Sequence, residues 1–173
     1  MLAILIPGLI IVALMVWAST RIKKMATAAF EAETIETDDF TIQKPEGFLN
    51  NLNGDPKHTF EIYSKELGAE RAEDFRQGRA DLTILKGKTI DNVVSDIKDS
   101  DDEIAEDITE VIGSTHYRVI DATQIATGIE FRVTYKIAEK DGETFVLKAI
   151  RLAETSDEFS RKIEAFVASF ELK

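Results

Sequence analysis

The spacing of hydrophobic positions divides the chain into an unbroken apolar run, a charged connector and a long stretch of mixed period. Leu2 to Ala18 reads LAILIPGLIIVALMVWA, and the uncharged stretch continues to Thr20. Nineteen helical residues at ~1.5 Å each reach about 28 Å, close to the ~30 Å hydrocarbon core of a bilayer. A buried helix in a soluble domain of this size is usually shorter and carries a polar stripe, which this run lacks. The pattern predicts a transmembrane helix over residues 1–20. Leu2, Ile4, Leu5, Leu9, Ile10, Ile11 and Leu14 are its apolar positions, and Trp17 lies near its interfacial end. Arg21, Lys23 and Lys24 follow at once, and no charged side chain precedes the run. Positive flanks stay in the cytoplasm, so the N-terminus is expected outside and the remainder of the chain inside. Residues 21–39, rich in Ala, Lys and Glu, read as a juxtamembrane stalk.

From Phe40 onward the periods are those of a folded domain, expected over residues 40–173. Phe40 and Ile42 alternate with Thr41 and Gln43 before a Pro45-Glu46-Gly47 turn. Phe60, Ile62 and Tyr63 predict a second strand, Leu67 to Phe75 a helix, and Leu82, Ile84 and Leu85 a short strand or connection. Ile90, Val93, Val94 and Ile97 fall at i, i+3, i+4, i+7, the spacing of one helical face. Ile104, Ile108, Val111 and Ile112 repeat it behind a Ser100/Glu103 capping box, predicting a further helix that Gly113 stops. Tyr117, Val119 and Ile120 open a strand. Ile129, Phe131, Val133, Tyr135 and Ile137 alternate with polar residues, the clearest strand signal in the chain. Asp141-Gly142 is a hairpin turn leading to a partner strand over Phe145 to Leu152. A last helix starts near Ser156, with Phe159, Ile163, Phe166, Val167 and Phe170 as its apolar stripe. The fold class predicted is α+β: an N-terminal transmembrane helix followed by a single domain with an antiparallel sheet packed against helices.

Charge narrows the function. Of 173 residues, 21 are Lys or Arg and 32 are Asp or Glu, a formal net charge of −11, and all of them lie beyond residue 20. A general nucleic-acid binder neutralises phosphates with Lys and Arg, so no nucleic-acid partner is expected. The absence of cysteine removes disulfides, thiolate catalysis, cysteine-ligated metals and a lipoprotein anchor. A cleaved signal peptide would have a basic n-region and a small-residue cleavage site; neither is present, so the span is expected to be retained. A pilin-like helix would carry a glutamate near its start, and the first twenty residues hold no acid.

Candidate chemistry is sparse. Asp96 to Glu110 is dense in carboxylates, and Asp99, Asp101 and Glu103 suit an EF-hand loop. Its sixth position requires Gly and is Ile104 here, so a solvated helical face is the better reading. That face, formed by Asp99, Asp101, Asp102, Glu103, Glu106, Asp107 and Glu110, is expected to dock a basic protein surface. His58 and His116 belong to no ligand set with metal spacing. Ser114, His116 and Asp121 supply the residue types of a serine triad but crowd one turn and strand, without a nucleophile elbow. No glycine belongs to a phosphate-binding loop. No metal, cofactor or catalytic set is expected.

FTIQKPEGF at Phe40 to Phe48 and IEAFVASFEL at Ile163 to Leu172, flanking a central pair of strands, resemble the α/β/α sandwiches of the PsbP, Mog1 and DcrB group. There an early strand meets a Pro-Glu-Gly turn, and the final helix ends in a Ser-Phe pair, here Ser169-Phe170. The resemblance implies that sandwich and an accessory or assembly role. A retained span without a lipobox cysteine departs from the group, most of whose members are lipid-anchored, extrinsic or soluble. The function expected is a non-catalytic accessory or assembly subunit in a bacterial inner membrane, with the span packed on an integral membrane protein complex. The alternative is a membrane-tethered sensor or small-ligand-binding module whose pocket lies between sheet and helix.

Overall fold

Two antiparallel meanders, joined side by side, build one long sheet. The computed structural model describes residues 14–21, 23, 24, 27–52, 54–64, 76–100 and 102–173. In chain order its elements are β1 (Glu33–Glu36), β2 (Phe40–Lys44), β3 (Phe48–Asn50), β4 (Phe60–Ser64) and β5 (Gly78–Lys86). Then come α1 (Ile90–Lys98), β6 (Glu103–Ile112), β7 (Thr115–Ala126), β8 (Ile129–Lys140), β9 (Glu143–Leu152), α2 (Asp157–Ala168) and β10 (Glu171–Leu172). Seven strands form one antiparallel sheet in the order β3-β4-β5-β9-β8-β7-β6, and a small sheet has the order β1-β2-β10. Two positive-φ residues, Asp141 and Gly142, close the β8–β9 hairpin, as the turn dipeptide requires.

Both faces of the large sheet are covered, each by its own apolar cluster. On one face α1 lays Val93, Val94 and Ile97 over Ile120, Val133, Tyr135, Ile137 and Ile150. On the other, α2 and the small sheet bring Ile163, Phe166, Phe170, Phe40 and Ile42 against Phe48, Ile62, Leu82, Tyr117, Phe145 and Leu147. The domain is α+β, and its layers form the expected sandwich. Thr89 caps α1 and Ser156 caps α2, each through its side chain. Gly78 lets α2 approach β5: a Cβ there would stand 2.9 Å from the Phe159 ring.

A lysine crosses this second interface. Lys136 of β8 is buried, and its Nζ donates to the carbonyls of Val167 (3.3 Å) and Ala168 (3.2 Å). It also sits 4.7 Å from the centroid of the Tyr117 ring. The last turn of α2 contains no basic residue, so the sheet supplies the cation that its carbonyl end favours. Burial lowers the pKa of Lys136. The Tyr117 hydroxyl accepts from the backbone N–H of Leu172 at 2.8 Å, which ties β10 to the same place.

The helix predicted over Ile104 to Ile112 is a strand, β6, paired along its length with β7. Its i, i+4 spacing fits a period of two as well as 3.6, and its content of Ile, Thr and Val favours the extended form. Ser100 does not open a capping box. Its hydroxyl donates to the Ile97 carbonyl at 2.6 Å, at the end of α1. Residues 33–36, within the 21–39 stretch, form β1 against β2. The helix predicted over Leu67 to Phe75 lies outside the described residues. So do Leu2, Ile4, Leu5, Leu9, Ile10 and Ile11 of the predicted span. Residues 14–21, 23 and 24 are helical, and among the described residues no helix is long and apolar enough to cross a membrane.

Candidate docking surface

β6 ends the large sheet: β7 lies on one side of it, and among the described residues no strand lies on the other. A bulge between Ile104 and Glu106 resets its alternation. Ile104 and Asp107 therefore share the face of α1, while Glu106, Ile108 and Glu110 turn to the opposite face. Neither cover extends fully over this edge. Ile108 is 40% exposed and Val111 59%, and Glu103, Glu106 and Glu110 are exposed around them.

The seven carboxylates assigned to one helical face are distributed differently. Asp99 ends α1, its backbone N–H donating to the Ser95 carbonyl at 2.9 Å. Asp101 lies outside the described residues. Asp102 accepts from the Tyr135 hydroxyl at 3.1 Å, and burial together with that carboxylate raises the pKa of Tyr135. Asp107 bridges Lys98 of α1 (3.1 Å) and Arg118 of β7, and chiefly the Arg118 hydrogen bond holds its carboxyl below the usual carboxylate range. Asp102 and Asp107 are thus engaged within the domain. Glu103, Glu106 and Glu110 remain presented on the strand edge, in extended rather than helical geometry.

Elsewhere the titratable groups are dispersed. His58 Nδ1 lies 2.9 Å from Thr83 Oγ1 and 3.3 Å from Asp81 Oδ2. Burial raises the Asp81 pKa, against the pull of His58, Lys148 and Arg79. His116 is exposed on β7, and the parity of the strand sends Asp121 to the opposite face, where it accepts from Thr134 at 2.5 Å. Strand geometry keeps the triad residue types apart. Among the described residues no group of three or more His, Cys, Asp or Glu side chains could hold a metal ion.

No protein-family model matches the chain, and no curated protein matches it. Solved structures do. Cyanobacterial PsbP (CyanoP) from Synechocystis sp. PCC 6803 superposes with a TM-score of 0.56 at 11% identity, over 83% of this chain and 92% of that one. The Ran-binding protein Mog1p of Saccharomyces cerevisiae gives 0.54 at 12%, over 83% and 96%. LpqN of Mycobacterium tuberculosis, described as involved in cell envelope biogenesis, gives 0.56 at 10%, over 83% and 91%. The chain also spans 45% of the length of a Bacteroides thetaiotaomicron structure that it matches at 15% identity. The fold is that of the PsbP, Mog1 and DcrB group.

Proposed function

We propose that this chain is a non-catalytic accessory or assembly subunit of a bacterial inner-membrane complex. A span over residues 1–20 holds it, with the N-terminus outside and the folded domain in the cytoplasm. The span packs on helices of an integral membrane partner, and β6 docks a basic protein surface. The observation that carries this reading is the outer edge of β6, ten residues long, with three exposed glutamates around two exposed aliphatic side chains. An edge strand presents backbone donors and acceptors to any chain that can pair with it. Glutamates on that edge repel a second copy of β6 and attract Lys or Arg, so the edge is guarded against self-association and suited to a basic partner.

The membrane half of the reading is supported by the uncharged run to Thr20, by Arg21, Lys23 and Lys24, and by the consecutive exposure of Leu14, Met15, Val16 and Trp17. A helix that shows four large apolar residues in a row needs a cover of lipid or protein. Two of the fold's other bearers, one Ran-binding and one involved in envelope biogenesis, are compatible with a binding role, although one fold hosts many functions.

Size-exclusion chromatography with light scattering on detergent-solubilised membranes tests the proposal. The wild-type chain is expected in an assembly of fixed stoichiometry. The Glu103→Lys, Glu106→Lys, Glu110→Lys triple variant is expected to elute without its partner and to melt at the same temperature. A wild-type chain that elutes alone would overturn the stable-subunit reading. A triple variant that keeps its partner would remove β6 from the interface.

A further inference from the structure

The face of the large sheet that carries α1 has a second feature beyond the helix, away from β6. Tyr63 of β4, Arg79 of β5 and Ile150 of β9 are successive partners across the sheet, so their side chains share one face. Together with Arg76 and the cross-strand pair Gln124 and Phe131, they line a cleft of ≈ 450 Å³. That volume falls within the range of small-molecule sites. We propose that the cleft binds a small organic anion, a carboxylate carried on a flat apolar body. The anionic group meets Arg79 and Arg76, and the flat body lies on Phe131 and Ile150.

Charge is the first argument. The whole chain has a net charge of −11, yet among the described residues the cleft lining holds two guanidinium groups and one carboxylate. That carboxylate, Glu61, already accepts from Asn51 Nδ2 at 2.8 Å. Arg79 is exposed and lies in no ion pair among the described residues. At ~0.1 M salt the Debye length is about 10 Å, so a ligand in the cleft responds to the arginines beside it more than to the distant acidic surface.

Preorganisation is the second. The Arg76 guanidinium carbon stands 3.6 Å from the centroid of the Tyr63 ring, and its Nη1 donates to the Ser64 carbonyl at 3.2 Å. A guanidinium held this way at the rim has already lost the rotamer freedom that binding would otherwise cost. Planar guanidinium groups suit carboxylates because two parallel N–H donors meet two oxygens. Phe131 and Ile150 supply the apolar contact beside them, which inorganic anions would not use. This site stands apart from the docking surface and survives or fails separately from it.

Nuclear magnetic resonance titration of the full chain in a neutral detergent tests the proposal, with 1-naphthoate as probe and 1-naphthamide as its uncharged counterpart. Saturable shifts are expected at Arg79, Phe131 and Ile150, with half-saturation near ~1 mM, a reasonable affinity for so small a molecule. The amide is expected to bind at least tenfold more weakly. Arg79→Gln, an exposed substitution expected to leave the melting temperature unchanged, should weaken naphthoate binding about tenfold. The absence of saturable shifts at about 10 mM naphthoate, equal binding of the amide, or unaltered binding by the Arg79→Gln variant would each overturn the proposal. Should Arg79→Gln lower the melting temperature, the comparison of naphthoate with its amide on the wild-type chain decides alone.

Discussion

Single residues set how firmly the layers are joined. Gly78 works through the atom it lacks, because a side chain would enter the Phe159 ring. Gly78→Val is expected to destabilise the fold by about 2–3 kcal/mol in urea denaturation. Lys136 works through its charged end. Lys136→Ala removes a buried stem and leaves two carbonyls of α2 without their donor, a loss of about 3 kcal/mol. Asp107 is the residue with a definite pH signature. Its folded pKa lies below the ordinary value because of Arg118 and Lys98. It therefore contributes stability above about pH 4 that is lost as the pH falls through its folded value. Asp107→Asn is expected to cost about 1 kcal/mol at pH 7. Its stability should converge on that of the wild type as the pH drops below about 4, read from denaturation curves across that range.

At the scale of elements, sequence and structure agree where burial is strong on a defined face. β8 lies inside the sheet between β9 and β7, and its alternation from Ile129 to Ile137 is legible in the sequence. The stripe of α2 and the Asp141-Gly142 turn were equally clear. β6 was not, for a physical reason. As an edge strand it leaves both faces partly wet, so little constrains its alternation, and the bulge at Ala105 breaks the parity that remains. Four-residue spacings of isoleucine then look helical. The acidic run was legible as composition but not as a surface, since Asp102 and Asp107 turn inward to partners 33 and 11 residues away in the chain. Strands β1 and β10, of four and two residues, are too short to show a period. The cleft was illegible altogether, because Tyr63, Arg79 and Ile150 meet only through strand register. Because β6 reaches outward, Ile108→Ser is expected to change folding stability by no more than about 0.5 kcal/mol while weakening attachment to the partner, measured on the same purified chain.

The whole molecule combines an acidic domain with an uncharged, apolar N-terminal run followed by positive charge. A net charge of −11 keeps copies of the domain apart and speeds its encounter with a basic surface. Raising the salt from about 50 to 500 mM shortens the Debye length from roughly 14 to 4 Å. The association rate with the partner is expected to fall at least tenfold over that range, with a smaller change in dissociation. A rate indifferent to salt would mean that the glutamates of β6 do not steer the encounter. The most direct measurement places a photo-crosslinking amino acid at position 108 of the chain in its native membrane, with a second chain carrying it at Thr127, on the β7–β8 turn. Position 108 is expected to yield one discrete adduct with a membrane-fraction protein and position 127 to yield none; equal labelling from both, or no adduct from 108, would contradict docking through β6.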